Sequence, residues 1–434
     1  MRTHGPLTAL LSTVAVFATL VLPAAPSAAA PPPGAESCPL FPADNVWHAD
    51  VTSLAVHPRS EQWIASMGGP TRHLHPDLGP DGDGVPYGIP YHVVGAGAPR
   101  STPRFSYAGE SDPGPYPFSA STPIERGSDA HALVIDRDSC RLYELFAASW
   151  NGGSPRAGSG AIWDLRSNAL RPRGWTSADA AGLPILPGLL RLDEVRAGHI
   201  DHPLRITASR TDRNFLWPAR HHAGAAADPS LPPMGAWFRM RADVDISGFH
   251  PHTQVVLRAF QRHGAIVADN GSNWFVTGSA DAGWDPRVIR ELKSIPAGWF
   301  QAIDVSPLMV HPDSGQVRHH DGAAARRAQV RRLYLASFTR VPDDGGLAYW
   351  TAQLAGGRPL TAIAANFAAS AELQARYGHL DAAGYVDRLY RNVLGRAADA
   401  GGLEYWITML GNGRSRGWVL VGFSQSAENI ARVG

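Results

Sequence analysis

The sequence predicts a multidomain protein in which a β-rich N-terminal domain, a sandwich or distorted barrel of the α+β class, is followed by a small all-α repeat domain. Three observations support this prediction. The 434 residues exceed what one ordinary hydrophobic core holds. Short apolar runs separated by proline and glycine turns fill residues 38–310. From residue 328 onward the apolar spacing becomes helical and the sequence repeats itself.

The composition is that of a folded protein with little net charge. Hydrophobic residues make up 44% of the chain and charged residues 18%, as is typical of globular proteins. The formal net charge of +1 gives no electrostatic reason to expect binding to nucleic acid or to an anionic membrane. We therefore predict no nucleic-acid partner.

The N-terminus predicts a secretory signal peptide over residues 1–30. Arg2 and His4 precede the apolar run 7–22, and small residues follow in an A-x-A-like cleavage zone near Ala28–Ala30. A membrane anchor is the alternative, but the run is shorter than the roughly 20 residues that a spanning helix needs. We expect a secreted, extracellular protein with no membrane span after removal of the signal.

Cys38 and Cys140 are the two cysteines of the chain. In an exported protein a pair of cysteines favours one disulfide, and two unpaired buried thiols are the alternative. The bridge would close a loop of roughly a hundred residues, which stabilises by about 4–5 kcal/mol in the chain-entropy model. It would tie the start of the mature chain to a hairpin predicted over 131–146.

The C-terminal part of the chain contains an internal repeat. Residues 311–327 are polar and predict a linker to a helical domain at 328–434. Within that domain, 332–357 matches 388–413 at many positions with a constant offset, which is typical of stacked supersecondary units.

Each copy of the repeat follows the pattern of an amphipathic helix. Asp343 and Asp399 precede helical stretches and are predicted N-caps. Trp350 and Trp406 lie on apolar faces with leucines three and four residues away. We predict that these tryptophans are core anchors rather than ligand platforms.

The second copy closely resembles the DUF4214 family, whose pattern runs roughly LYrnvLGRxaDxxGlxYW. The matching positions are Leu389, Tyr390, Leu394, Gly395, Arg396, Asp399, Gly402, Tyr405, Trp406, Phe423, Ser426 and Glu428. The first copy departs from the pattern at Ser337, Phe338 and Thr339, where the family has Val-Leu-Gly. The resemblance covers about a quarter of the chain. It implies a helical accessory domain of secreted or surface proteins and no catalytic residue.

The N-terminal region also resembles a recurrent secreted bacterial domain that has no characterised activity. The stretches that carry this resemblance are 105–118, 158–195, 232–240 and 266–272. The resemblance supports a folded domain and implies no mechanism.

The stretch IVADNGSNWF at 266–275 has two interpretations. Asp-Asn-Gly-Ser between apolar runs is a common hairpin signal, because such residues tolerate positive φ. In the functional alternative, Asp269 and Asn270 lie at a strand end and point into a cleft. The preceding residues predict a half-buried strand over 235–244 and a helix over 253–264.

The segment 158–194 is the stronger candidate for chemistry, because it is irregular and polar yet carries large residues. Asp164 and Asp179 would supply the carboxylate pair that glycoside hydrolysis requires. Alternatively, Asp164 pairs with Arg166 or Arg171, and Asp179 caps a short helix. The predicted substrate-binding residues are Arg166, Arg220, Trp163, Trp175 and Asn270.

Histidines supply candidate general bases. His131 opens a strand and His221 follows Arg220 in a polar loop, and either would act with an aspartate within hydrogen-bonding reach. The sequence contains no His-Glu-x-x-His motif, no cysteine cluster, no nucleotide-binding loop and no Gly-x-Ser-x-Gly elbow. We therefore predict no metal and no cofactor.

Two classes of function remain open. The first is an extracellular carbohydrate-active hydrolase acting on polysaccharide or cell-wall glycan, with catalytic residues drawn from Asp164, Asp179, Asp269, His131 and His221. The second is a non-catalytic surface protein that mediates adhesion or binds glycan. Two of the carboxylates within ~10 Å in one cleft would favour the enzyme. Carboxylates on different faces, each tied to an arginine, would favour the binding protein.

Overall fold

The computed structural model describes residues 29–80, 86–318, 322–355 and 358–433. The predicted signal peptide lies almost entirely outside these residues. The strands, in chain order, are β1 (His75–Asp77), β2 (Gly79–Pro80), β3 (Pro86–Tyr87), β4 (Tyr91–Val94), β5 (Arg104–Phe105), β6 (Ala132–Asp136), β7 (Arg141–Phe146), β8 (Ser149–Asn151), β9 (Ser154–Ala157), β10 (Ser159–Asp164), β11 (Leu204–Ala208), β12 (Trp237–Met240), β13 (Ala265–Asn270), β14 (Phe275–Thr277) and β15 (Phe300–Ile303).

The α-helices are short in the N-terminal region and dominate from residue 322 onward. They are α1 (Ser60–Ser66), α2 (Leu192–Ala197), α3 (Pro251–Arg262), α4 (Pro286–Leu292), α5 (Gly322–Phe338), α6 (Asp344–Ala355), α7 (Leu360–Ala369), α8 (Ala371–Tyr377), α9 (Ala382–Leu389), α10 (Ala400–Gly411), α11 (Arg416–Ser424) and α12 (Ala427–Val433). The predicted order, a β-rich region followed by an all-α region, is confirmed.

A mixed six-stranded sheet forms the centre of the N-terminal region, with the order β1-β14-β11-β13-β12-β15. β11 and β13 are parallel, and β14 is antiparallel to β11. The predicted helix over 253–264 is α3, which leads from β12 to β13. The half-buried strand predicted over 235–244 is shorter, and all its residues are buried. As an interior strand covered on both faces, β12 has no solvent side.

A second sheet, with the order β10-β7-β6-β4, carries the predicted hairpin and the predicted disulfide. β6 and β7 pair antiparallel around the turn at 137–140. The disulfide joins Cys38 to Cys140, whose Cα atoms are 5.3 Å apart. The start of the described chain is therefore covalently attached to this sheet.

The stretch 269–272 is not a hairpin turn, so the hairpin prediction is wrong. β13 and β14 are not neighbours, because β11 lies between them. The connecting chain crosses the end of β11, where the N–H groups of Gly271 and Trp274 donate to the carbonyls of Ala208 and Thr207, each at 3.1 Å. Trp274 adopts the positive φ, at 63°. An Asn-Gly signal indicates where the backbone can turn but does not determine which strands pair.

In the helical region, both copies of the sequence repeat contain the same ion pair. Arg340 and Glu372 form two hydrogen bonds of 3.1 and 3.0 Å, and Arg396 and Glu428 form two of 2.6 and 2.9 Å. Both arginines and both glutamates are separated by the repeat offset. Each copy therefore closes with the same bidentate ion pair.

The predicted caps and core anchors are present in both copies. Asp343 and Asp399 each accept a hydrogen bond of 2.8 Å from the backbone N–H three residues later. The Trp350 ring lies 5.2 Å from that of Phe367, and the equivalent tryptophan of the second copy makes the same kind of contact. These rings pack between the helices of each copy.

The two copies differ in their backbone where the first helix of each copy ends. Gly395 adopts the left-handed conformation with φ 71° at the end of a π-helical turn. Thr339, its equivalent in the first copy, has φ 51°, and its hydroxyl accepts a hydrogen bond of 2.6 Å from Arg376. A β-branched residue rarely adopts such a φ, so the first copy carries backbone strain that glycine avoids.

The connection between the two regions is short. The N–H of Val317 donates to Asp44 at 2.8 Å, so the chain up to residue 318 belongs to the N-terminal fold. Helix α5 then begins at Gly322, inside the linker predicted over 311–327. Polar composition does not distinguish a free linker from a segment that pairs with a distant strand. None of the helices in the described ranges has both the length and the apolar character needed to cross a membrane.

Candidate functional site

One face of the six-stranded sheet carries a row of polar side chains. Asp77 on β1 pairs with Thr277 on β14. The register of β14 with β11 places Arg205 opposite Thr277, and the Arg205 guanidinium donates a hydrogen bond to the Thr277 hydroxyl. Because cross-strand neighbours share a face, these three side chains lie side by side across three strands.

A β-bulge brings Asp269 onto the same face. Thr207 pairs with Asp269, where a regular ladder would place Ala268, so β13 contains one extra residue. Asp269 consequently shares the face of Arg205 rather than the opposite face. The carbonyl of Ala268 accepts a hydrogen bond of 2.9 Å from the N–H of Ala181, which ties an overlying loop to the end of β13.

That loop places Asp179 against the guanidinium of Arg205. Oδ2 of Asp179 accepts from Nε at 3.0 Å and Oδ1 accepts from Nη2 at 2.6 Å. The side chains are 0% and 4% exposed. This bidentate ion pair is sequestered from water, and it engages both carboxylate oxygens of Asp179.

Asp269 also faces the guanidinium but remains accessible. Its Oδ2 lies 3.9 Å from Nη2 of Arg205, and its side chain is 21% exposed. Burial and the neighbouring charge of Asp179 raise the pKa of Asp269 to about 8, although Arg205 and His131 oppose the rise. Asp269 is therefore a carboxylic acid at neutral pH. Asn270 follows it at the exposed end of β13.

Asp77 lies on β1, at the end of the row that contains Thr277 and Arg205, and it is partly exposed. Burial and the nearby carboxylate of Glu125 raise the pKa of Asp77 to about 6, and Arg205 opposes this effect. Asp77 is therefore mainly ionised at neutral pH, where Asp269 is protonated. Asp77 and Asp269 share one face of the sheet but not one row, because Asp269 pairs with Thr207, two residues further along β11 than Arg205.

His131 contacts the backbone of the same loop, next to Asp179. Its Nδ1 lies 2.5 Å from Oε2 of Glu125, and its Nε2 lies 3.2 Å from the carbonyl oxygen of Ala178. Both partners are acceptors, which favours an imidazolium with two N–H donors. Burial alone lowers the pKa of His131, but the hydrogen bond and charge of Glu125 outweigh it and raise the pKa. The two hydrogen bonds and the raised pKa both favour the protonated form of His131.

We name these groups together the Arg205 cluster. Its members are Asp77, Glu125, His131, Asp179, Arg205 and Asp269. Three of the predicted catalytic residues, His131, Asp179 and Asp269, are brought together in it.

Asp164 and Arg166 lie elsewhere, at the end of β10. Asp164 is exposed and accepts a hydrogen bond of 3.0 Å from the backbone N–H of Arg166. The Arg166 side chain donates to the carbonyl of Ser139 at 3.3 Å. The structure therefore does not bring Asp164 together with Asp179 as a carboxylate pair.

His221, Arg220 and Trp175 pack beside the overlying loop. Nδ1 of His221 lies 2.9 Å from the carbonyl oxygen of Ala180, and its side chain is partly exposed. Arg220 is buried and forms an ion pair of 2.5 Å with Asp313. The guanidinium of Arg171 lies 5.5 Å from the ring centre of Trp175. Arg220 is thus a structural contact, whereas His221 faces solvent near the cluster.

The C-terminal region is similar to a known protein family. The DUF4214 family model, described as a domain of unknown function, matches residues 316–372 and 364–433. The two matches overlap and together cover the C-terminal helical region. The resemblance predicted for the second copy is confirmed, and the first copy matches as well. No curated protein and no solved structure matches the chain.

The DUF4214 region contacts the N-terminal region through a shared carboxylate. Asp50 accepts a hydrogen bond of 2.8 Å from Arg326 in α5 and lies 3.5 Å from the guanidinium of Arg262 in α3. None of these residues belongs to the Arg205 cluster. The family match therefore gives no information about the chemistry of the cluster.

Glu144 anchors the loop that follows Asp179. Its fully buried carboxylate accepts hydrogen bonds of 2.9 Å from the N–H groups of Ile185 and Leu186 and one of 3.0 Å from the indole of Trp163. Burial raises the pKa of Glu144 to about 7. Trp163 is buried in this contact, so it packs in the core and presents no platform to solvent.

Four residues of this site were not predicted from the sequence: Arg205, Glu144, Glu125 and Asp77. Two of them had a visible signal, because Arg205 and Glu144 are charged residues inside otherwise apolar strands. A charge buried in a strand requires a partner. Glu125 and Asp77 stand in short irregular stretches, where nothing in the spacing distinguishes them.

The described residues contain no group of three or more His, Cys, Asp or Glu side chains placed to hold a metal ion. Two surface cavities of about 380 and 360 Å³ are lined by other residues, the larger by Tyr91, Asp193, Arg196 and Asp281 among others. We place the candidate site at the Arg205 cluster rather than at either cavity, because the cluster carries the displaced pKa values.

Proposed function

We propose that the N-terminal region is a secreted carbohydrate-active hydrolase that cleaves polysaccharide, with Asp269 as its proton donor. The observation that carries this proposal is a partly exposed carboxyl group of raised pKa, Asp269, beside a buried carboxylate–guanidinium pair. Glycoside hydrolysis requires a carboxylic acid of raised pKa to protonate the departing oxygen. Asp269 has the protonation state and the access that this role demands.

The position of Asp269 in the sheet supports the same proposal. It stands at the carboxyl end of β13, beside the carboxyl end of the parallel strand β11. Ligands in sheets with parallel strands bind preferentially at this edge. In this proposal Asp179 keeps Asp269 protonated, Arg205 holds Asp179, and His131 fixes the backbone that presents Asp179.

Export is part of the proposal. The apolar N-terminus with its cleavage zone and the Cys38–Cys140 disulfide both fit an oxidising, extracytoplasmic environment. A polysaccharide substrate fits such a location.

The test is a panel of soluble polysaccharides and cell-wall glycans incubated with the full chain, with reducing ends as the readout. We expect the wild type to release reducing ends and Asp269→Asn to lose 10²-fold or more of that activity, about the contribution of a general acid. Asp245→Asn, an exposed carboxylate in another loop, is the matched control.

The panel also tests the second class of function. If no glycan is cleaved while the protein sediments with one of them, the hydrolase is wrong and the non-catalytic glycan-binding function takes its place. If the wild type cleaves a glycan and Asp269→Asn cleaves it equally well, the activity lies at another site.

A further inference from the structure

The smaller surface cavity, of about 360 Å³, is lined by two arginines that lie in one row of a three-stranded sheet. This sheet has the strand order β5-β9-β8. Arg104 on β5 pairs with Arg156 on β9, and Arg156 pairs in turn with Ser149 on β8. Because cross-strand neighbours share a face, both guanidinium groups and the Ser149 hydroxyl project from the same side. We call this surface the Arg104 cavity; Arg104, Ser106, Ser149 and Arg156 supply its polar side chains.

The protein does not balance the charge of these two arginines. Neighbouring strands lie about 4.8 Å apart, and like charges directly opposite each other destabilise a sheet. Arg104 and Arg156 are both exposed. Within the ranges that the structure describes, neither guanidinium takes part in an ion pair or a hydrogen bond. The row therefore presents two adjacent positive charges to whatever enters the cavity.

A third arginine on a nearby sheet shows the ordinary arrangement. Arg141 on β7 is also exposed, but its strand register places it opposite Asp136 on β6 and Asp164 on β10. Opposite charges in neighbouring strands stabilise a sheet. Arg141 thus stands between two carboxylates, whereas Arg156 stands between an arginine and a serine.

We propose that the Arg104 cavity binds an acidic polysaccharide, whose carboxylate or sulfate groups lie between Arg104 and Arg156. A guanidinium donates two parallel hydrogen bonds to an oxyanion, and a serine hydroxyl can donate a further one. This inference deepens the proposed function by naming a substrate class. The identification of the bound polysaccharide as a substrate rests on that proposed function, whereas the binding itself does not.

The size of the charged surface favours a polysaccharide over a nucleic acid. Nucleic-acid-binding proteins contact a series of phosphates through an extended basic surface. Here the unbalanced charge consists of two residues, and the net charge of the chain is only +1. Affinity for a polyanion must therefore come from this local pair of arginines.

The cavity is adjacent to the Arg205 cluster through the side chain of Phe146. The ring of Phe146 lies 5.9 Å from the ring of His131, a member of the cluster. On the cavity side, a Cβ on the lining residue Gly158 would lie only 2.6 Å from the Phe146 ring. A polymer can occupy the cavity with one sugar while another of its sugars lies at Asp269. Binding energy from such a remote contact can contribute to cleavage.

The experiment measures binding of two matched probes to the full chain by isothermal titration calorimetry. Polygalacturonate carries a carboxylate on each sugar, and its methyl ester has the same backbone without that charge. The chain carries Asp269→Asn, so that cleavage does not contribute to the heat. We expect polygalacturonate to bind and the ester to bind at least tenfold more weakly. Added salt should weaken the binding of polygalacturonate. Dextran sulfate, with neutral dextran as its control, tests sulfate in place of carboxylate.

Arg104→Gln and Arg156→Gln test the residues. Each should weaken polygalacturonate binding about tenfold, the loss expected for one charge-assisted hydrogen bond. Arg141→Gln removes the same charge from another exposed strand position and should change binding less than twofold. Because Arg104 and Arg156 make no polar contact within the described residues, both variants should keep the thermal midpoint of the parent chain.

Three results would overturn the inference. The first is that neither polygalacturonate nor dextran sulfate binds, or that the neutral polymers bind equally well. The second is that Arg141→Gln weakens binding as much as the two cavity variants, which would make the effect one of net charge. The third is that single-stranded DNA displaces polygalacturonate and binds more tightly through the same arginines, which would assign the cavity to nucleic acid.

The inference and the proposed function fail separately. If polygalacturonate binds through Arg104 and Arg156 but the wild type cleaves no glycan, the cavity stands and the hydrolase is wrong. If the wild type cleaves a neutral glycan and neither polyanion binds, the hydrolase stands and the cavity is wrong. If the wild type cleaves an acidic polysaccharide, Arg104→Gln should raise KM about tenfold and leave kcat within twofold of the wild type.

Discussion

At the scale of single residues, Asp179 and Asp269 are identical side chains that the fold treats in opposite ways. Asp179 accepts two hydrogen bonds from the guanidinium of Arg205. Asp269 lies 3.9 Å from the nearest nitrogen of this guanidinium and beside the carboxylate of Asp179. The environment thus separates the two carboxyl groups: Asp179 is held in a buried bidentate ion pair, and the pKa of Asp269 is raised. Such a separation is the usual basis of acid–base chemistry near neutral pH.

The same contrast predicts how stability depends on pH. Because the pKa of Asp269 is raised to about 8 in the folded state, the folded state holds this proton more tightly than the unfolded chain does. Its stabilising contribution is complete below about pH 4 and is lost as the pH rises to 8. Asp269→Asn should therefore gain unfolding free energy over the wild type between pH 5 and pH 9, measured by urea denaturation.

Asp245→Asn serves as the comparison for that experiment. Asp245 is exposed, and its carboxylate accepts a hydrogen bond from the N–H of Ser247, which lowers its pKa. Its substitution should give no gain at high pH. An equal gain for both variants would show that net charge, and not the position of Asp269, causes the effect.

At the scale of secondary-structure elements, the sequence predicts the elements that form within one segment. It does not predict which distant strands pair in the sheet. The helix over 253–264, the hairpin over 131–146 and the repeat follow from periodicity and turn residues within one segment. The insertion of β11 between β13 and β14 does not, because it depends on contacts between residues some sixty positions apart.

The bulge in β13 explains why strict alternation misplaces Asp269. Counting two residues per repeat puts Asp269 and Val267 on one face of the strand. The shifted register puts Asp269 opposite Thr207 instead, on the face of Arg205. The candidate aspartates and the unusual charge of Arg205 were visible in the sequence, but the contact between them depends on this pairing.

The two DUF4214 copies provide a matched test of backbone strain. Gly395→Ala places a Cβ in a left-handed conformation and should lower the unfolding free energy by about 1–2 kcal/mol. Thr339→Asn replaces a β-branched residue with one that tolerates this conformation, and it should raise the unfolding free energy by about 0.5–1 kcal/mol. Thermal unfolding of the full chain measures both.

Opposite shifts in the two variants are the expected outcome, since both positions occupy the same place in the repeat. A lower midpoint for Thr339→Asn would mean that the hydroxyl contact with Arg376 outweighs the relief of strain.

At the scale of the whole molecule, the disulfide determines much of the stability of the N-terminal region. Cys38 and Cys140 are 102 positions apart, so the unfolded chain loses considerable freedom when they are joined. Replacing both with serine should lower the unfolding free energy by about 2–5 kcal/mol. Urea denaturation followed by tryptophan fluorescence measures this loss.

Reduction of the wild type with a phosphine should reproduce the loss without any substitution. If the doubly substituted chain and the reduced chain both unfold at the wild-type urea concentration, the bridge contributes nothing measurable to stability.

The same bridge has a mechanical consequence. When a protein is pulled between its two ends, unfolded chain extends by about 3.4 Å per residue, but the segment enclosed by a disulfide cannot extend. With 102 positions between the bridged cysteines, the oxidised chain would release about 350 Å less length than the reduced chain. Under tension, the segment from 38 to 140 would remain a closed loop, including Asp77 on β1 and His131 just before β6, even after the surrounding sheet had been pulled apart.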